Sequence, residues 1–237
     1  MRKIFIVLLI PIMFTSCDPK TMQTAMDILN TTTALTNSDI AKGLKEALNL
    51  GVGNSVNFLS AKDGFYQSIY KVLLPDDLKK VTNKLAIIPG FDKFEEIAVE
   101  KINRAAEDAA SKAGPIFVDA IKGITFDDAM NILMGDKNAA TTYLHGRTNT
   151  ALYNEFKPVI VNSLNKFGAL DHLANGINKY NSIPLLEDVN PDITDHVTNK
   201  ALTSMFDLVA KKELGIRTDL SQRTSDLLKR VFEKQDN

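Results

Sequence analysis

The chain has 237 residues, 44% hydrophobic and 24% charged, with 12 Gly, 8 Pro, no Trp and one Cys; its 28 basic and 29 acidic residues give a formal net charge of -1. The apolar fraction excludes a disordered chain, and the modest glycine and proline content excludes a collagenous or low-complexity one. Near-neutral charge gives no pull toward nucleic acid, and the single cysteine, Cys17, can close no internal disulfide and build no cysteine-based metal site.

Residues 1–16 read as a secretory signal: Arg2 and Lys3 form a basic start, Ile4 to Phe14 an apolar run, and Thr15 and Ser16 small residues before Cys17. The apolar run is shorter than the roughly 20 residues that a membrane-spanning helix needs. A buried N-terminal helix is disfavoured because Asp18, Pro19 and Lys20 follow at once. The lone cysteine placed just after the run resembles a bacterial lipobox, in which the signal is cut before the cysteine, the thiol takes a diacylglycerol and the new amine is acylated. Phe14 stands where that motif usually carries Leu, so an ordinary signal peptide with an incidental cysteine is the alternative. On the lipobox reading Cys17 is the lipid-attachment residue, residues 17–37 are a lipidated tether, and each buried CH₂ of the acyl chains contributes about 0.8 kcal/mol to anchoring. Loss of Arg2 and Lys3 leaves 26 basic residues against 29 acidic, a net of -3, which argues against a basic patch for lipid headgroups. The expected location is the bacterial cell envelope, with the outer membrane favoured over the inner and Asp18 as the feature that points to the inner.

Beyond the tether, strand signals are nearly absent and helix signals recur throughout. Ile40, Leu44, Leu48, Val52, Val56 and Leu59 form a wide apolar face, interrupted by Gly51 and Gly53, which permit either close helix approach or a kink. Leu74 to Leu78, with Pro75, Asp76 and Asp77, looks like a helix start. A longer helix from Phe91 carries Phe94, Ile97, Ala98, Ile102, Ala105 and Ala109 and is expected to end near Gly114-Pro115. Thr125 to Asp128 offers a capping box with Asp in place of the usual Glu, and Gly135 a stop. One helix is then predicted from Ala139 to His145, and a second through Leu152, Phe156, Ile160, Leu164 and Phe167, begun or kinked at Pro158 and ended by Gly168. A short helix covers Asp171 to Tyr180, another opens at Pro191-Asp192 and runs to Leu208, and a last one carries Leu227, Leu228, Val231 and Phe232.

These elements predict an all-α fold: a single multi-helix domain over residues 38–235, behind a signal peptide and a short tether. Near residue 185 a turn-rich stretch offers a hinge as the alternative. His145, His172 and His196 fit no metal-ligand spacing, no phosphate loop or GxSxG turn is present, and no cofactor is expected. The densest polar run, Asn103 to Asp128, contains Arg104 with Asp108 and Asp119 with Lys122 at helix-face spacing. Its sharper reading turns Arg104 and Asp119 inward to line a cleft.

Ile116 to Ala129 resembles the bacterial family catalogued as domain of unknown function 4197. So do Gly43 to Leu48, Asp63-Gly64-Phe65, Asn103 to Glu107, Ala139 to Leu144, Phe156-Lys157-Pro158 and Thr224 to Phe232, an ordered set spanning about residues 39–232. The resemblance implies a mostly helical envelope protein and brings no activity or catalytic residues. The functional expectation is a non-enzymatic, lipid-anchored envelope protein that binds or scaffolds a partner. The alternatives are a helical carrier with an apolar cavity for a small ligand or lipid, and a hydrolase with a site near Arg104 and Asp119.

Overall fold

Four long helices carry the core of the structure, a computed structural model that describes residues 35–236. The signal segment, Cys17 and most of the predicted tether lie outside the described residues. Helix α1 (Asn37–Ser60) buries Ile40, Leu44, Leu48, Val52 and Leu59, the face its spacing predicts. It runs unbroken through both glycines; a Cβ at Gly51 would meet Lys212 at 3.5 Å, an ordinary contact, and one at Gly53 would meet nothing within 4 Å, so neither glycine is required by close packing.

Helix α2 (Asp76–Leu85) starts behind Pro75 with Asp76 and Asp77 in its first turn. Helix α3 (Phe94–Ala110) follows; of the predicted stripe Phe91, Phe94 and Ile97, only Phe94 is buried. Its alanines 98, 105, 106, 109 and 110 are all fully buried, which lets neighbouring helices approach closely along its length.

The predicted stop at Gly114-Pro115 instead lies inside helix α4 (Ala113–Lys122). The pair sits in the first turn, where backbone N–H groups have no helical partner, so proline costs no hydrogen bond there. Helix α5 (Phe126–Leu133) starts at the predicted capping box: the Asp128 N–H donates to Thr125 Oγ1 at 3.1 Å and the Thr125 N–H to Asp128 Oδ2 at 3.1 Å.

The two helices predicted on either side of residue 150 are one, α6 (Ala139–Lys166), with Pro158 inside it. Its buried positions 140, 144, 148, 152, 156, 160 and 164 fall at four-residue steps. Four residues exceed one turn by about 40°, so the buried line winds around the helix and meets different neighbours along it. An interior proline costs about 3 kcal/mol, and the complete burial of Phe156 and Ile160 on either side of Pro158 offsets it. Gly168 ends the helix as predicted, in the left-handed conformation with φ 64°.

Helix α7 (Ala169–Asn181) comes next. Helix α8 (Ile193–Thr218) is capped by Asp192, which accepts from the Asp195 N–H at 2.9 Å, and it extends ten residues beyond the predicted Leu208. Helix α9 (Asp226–Phe232) closes the chain behind its Ser225 cap. Helix α6 packs on α8, α3 lies against α6, α8 and α1, and α1 packs on α8; α4, α5 and α9 cover α1, while α2 and α7 pair beside α3. Residues from Asn37 onward form one compact unit, so the turn-rich stretch near residue 185 is a surface connection within it. The described residues contain helices and no strand, and no helix among them is long and apolar enough to cross a membrane.

Candidate functional site

One turn of α3 holds a loop, and that loop builds the candidate site. Asn103 is fully buried; its amide donates to the carbonyls of Val72 (2.8 Å) and Val99 (2.6 Å) and accepts from the Val72 N–H (2.8 Å). Four residues on, the buried Glu107 accepts from the N–H groups of Phe65 and Tyr66 at 3.2 and 3.3 Å. Between them Arg104 donates to Glu107 at 2.9 Å and to Asp63 at 2.8 Å, and its guanidinium lies over the Tyr66 ring. Burial alone would ease deprotonation of Arg104, but the hydrogen bonds it donates to Glu107 and Asp63 outweigh that and push its pKa up. Asp63 has φ 69°, a conformation disfavoured for a residue with a Cβ, and the Arg104 pair holds it there.

Residues 69 and 70 form a turn, with the Lys71 N–H donating to the Ser68 carbonyl at 3.2 Å, and residues 71–75 lead without helix into α2. Tyr70, Val72 and Leu74 are buried, whereas Ile69 (82% exposed), Lys71 and Leu73 (53% exposed) face solvent. The second wall is α8. His196 Nε2 lies 2.8 Å from the Leu73 carbonyl; a carbonyl only accepts, so that nitrogen carries the proton. Lys211 donates to the Tyr70 hydroxyl at 3.2 Å and pairs with Asp207 at 2.7 Å. Burial raises the Tyr70 pKa and keeps the phenol neutral.

Between the walls runs an open groove of about 510 Å³, lined by Lys71, Leu73, Lys79, His196, Lys200 and Ser204 among others. Lys79 pairs with Asp76 at 3.0 Å and holds that carboxyl below the usual range. The Lys71 ammonium lies 4.7 Å from the Tyr66 ring centre. Neither Lys71 nor Lys200 pairs with a carboxylate among the described residues. The groove is therefore cationic and offers point charges to an anion, with apolar side chains at its rim.

The residues predicted for a cleft are not brought together. Arg104 is only 16% exposed and engaged as above. Asp119 is 79% exposed, pairs with Lys122 at 3.4 Å, and lines a separate open groove with Tyr143 and Arg147. Arg104 takes Asp63 and Glu107 in place of the predicted Asp108, which accepts instead from Ser163 at 2.6 Å.

The histidines are likewise separate. His145 is exposed beside Phe206, and His172 stacks on Phe94 with Nε2 3.0 Å from the Phe94 carbonyl. Among the described residues no group of three His, Cys, Asp or Glu is placed to hold a metal.

The strongest buried charges lie elsewhere, and the sequence reading passes over them. Glu213 caps the start of α6, accepting from the N–H groups of Ala140 (2.9 Å) and Thr141 (2.8 Å) and from the Thr141 hydroxyl (2.7 Å). Arg217 pairs with Glu213 at 2.8 Å and donates to the last carbonyls of α5, Ile132 (2.8 Å) and Leu133 (3.0 Å). The fully buried Arg223 donates to the carbonyls of Ile216 and Arg217 and forms a two-pronged pair with Asp236, both contacts 2.6 Å. The helix period does place Glu213 and Arg217 in line with Val209, on the buried side of α8, so their burial was readable once the helix is extended past Leu208. These charges are spent on helix ends and each other. The apolar cavity beside them measures about 20 Å³, room for one water.

A family model described as "Protein of unknown function (DUF4197)" matches residues 34–233. No curated protein and no solved structure matches the chain.

Proposed function

The chain belongs to the DUF4197 family, and from that premise we propose that it is a lipid-anchored cell-envelope protein that acts by binding rather than catalysis. Cys17 carries the lipid, and the groove between residues 69–79 and α8 is the contact surface. The observation that carries the binding role is the groove itself: about 510 Å³ in volume, with Lys71 and Lys200 free of carboxylate partners among the described residues. Unpaired cations held by a rigid scaffold are available to a ligand at no cost in internal ion pairs.

The other two readings draw less support. A carrier needs an apolar cavity of some hundreds of Å³, and the apolar cavity beside Glu213 and Arg217 measures about 20 Å³. A hydrolase needs a nucleophile and base within hydrogen-bond reach in a cleft, whereas the buried carboxylates Glu107 and Glu213 are saturated by arginines and backbone N–H groups.

The test is a site-specific photocrosslinker at Ser204 in intact cells, in wild type, Cys17→Ala, and Lys71→Glu with Lys200→Glu. The expected result is a defined adduct that the double lysine variant loses, and release of Cys17→Ala into the soluble fraction by a high-salt wash that leaves wild type on the membrane. A Cys17→Ala chain that stays membrane-bound through that wash overturns the anchor; an adduct indifferent to the lysines overturns the groove.

A further inference from the structure

We infer that the face built by residues 69–73 and α8 docks on an anionic phospholipid bilayer, with Ile69 and Leu73 entering the interfacial region and lysines holding lipid phosphates. This rests on the groove being a binding surface and names what it binds.

The exposed residues of the stretch 69–73 read apolar, cation, apolar: Ile69, Lys71, Leu73. Phe58 widens the apolar part, with its half-exposed ring set edge-on to Tyr70 at 6.3 Å between centroids. Because Asn103, Glu107 and Arg104 pin the loop, these side chains are held out rather than free to fold inward. Exposed large apolar side chains on one pinned loop, rimmed by charge, mark an interaction site.

Charge decides which kind. Lys71, Lys79 and Lys200 line the groove with Leu73, and Lys211 reaches Tyr70, against Asp76 and Asp207, each already paired to one of those lysines. The overall acidic balance, which argues against a headgroup-binding patch, thus hides a local excess of positive charge. Protein-binding patches favour arginine and aromatic residues and are depleted in lysine. Here the charged donors are lysines with one histidine, on aliphatic stems that can lie along acyl chains while the ammonium stays at phosphate level.

Geometry permits the contact from an anchored chain. Helix α1 has 24 residues and so is about 36 Å long. The 20 residues from Cys17 to Thr36 can span at most about 66 to 72 Å. An anchor at Cys17 therefore leaves the face free to meet the same membrane.

The experiment uses residues 37–237, the compact unit with its own core, in co-sedimentation with phosphatidylcholine vesicles with and without phosphatidylglycerol. Binding is expected to the anionic vesicles, about tenfold or more weaker to the neutral ones, and weakened by salt. Ile69→Asp with Leu73→Asp, and separately Lys71→Glu with Lys200→Glu, should each lower it about tenfold or more with unchanged circular dichroism. Met134→Asp, at an exposed apolar residue on the end of α5, should leave it unchanged. No binding to either vesicle, equal binding to both, or an equal loss in Met134→Asp overturns the inference. A Ser204 adduct to a protein, lost with the lysine pair while vesicle binding is absent, overturns the bilayer as occupant and leaves the groove's binding role standing.

Discussion

Two charged regions of this molecule use the same residue types for opposite ends. Around Glu213, Arg217 and Arg223, every buried charge meets an opposite charge or a helix-end backbone group, and almost no space is left between them. On the face beside Lys71 and Lys200 the cations line an open groove and two of them lack carboxylate partners among the described residues. Inside, an unmet charge would cost several kcal/mol, so each is answered locally. Outside, water screens the charge, and leaving it unanswered keeps it available to a ligand. The contrast separates residues that hold the fold from residues that can act.

The sharpest way to break that contrast is Glu213→Ala. It strands the Arg217 guanidinium and removes the acceptor for two N–H groups, so urea unfolding should show a loss of about 3 to 5 kcal/mol. A loss under about 1 kcal/mol would put Glu213 in the class of surface pairs and erase the distinction. Asn103→Ala comes next, leaving the Val72 N–H and carbonyl unmet at a cost of about 1 to 3 kcal/mol. It joins the two regions: hydrogen exchange should quicken at Val72, and vesicle binding should weaken as residues 69–73 lose their fixed display.

Acid titration probes the inner cluster more gently. The Arg223 hydrogen bond holds the Asp236 carboxyl below the usual carboxylate range. A carboxyl whose folded pKa lies below its unfolded value stabilises the fold fully above the unfolded value, about 3.9, and progressively less as pH falls through the folded one. Thermal midpoints measured across that window should fall less steeply with acid in Asp236→Asn than in wild type; equal slopes would show that Asp236 carries none of the dependence. The smallest expected effect is on the outer face, where Lys200→Glu should change stability by less than about 0.5 kcal/mol in the same unfolding assay. Destabilisation comparable to Glu213→Ala would mean that the groove lysine is structural after all.

Most of the helices were legible because burial repeats every three to four residues and caps are local. The Thr125 box, the Asp192 cap and the Gly168 stop each need only residues within one turn. The misreadings also have local causes. Gly114-Pro115 looks like a terminator by composition, but proline is tolerated in a first turn, and that position depends on what precedes it. Pro158 looks like a start or a kink, yet the flanking burial keeps α6 whole.

The candidate site was much less legible. Arg104 was visible as an unusual charge among small residues, but its partner Asp63 lies 41 positions away. His196 meets the Leu73 carbonyl across 123 positions. No periodicity reports such a meeting, because separations of that length are settled by how helices stack.

The all-helical architecture and the starts of most of its helices follow from the sequence by itself, since hydrogen bonding, capping and amphipathic spacing act over a turn or two. The assignment of charges to the interior or to a groove was decided only by the tertiary structure. Charged residues occur in every described α-helix, and only the packing of α8 against α5 and α6 buries Glu213 and Arg217, whereas the loop at 63–74 beside α8 leaves Lys71 and Lys200 facing solvent.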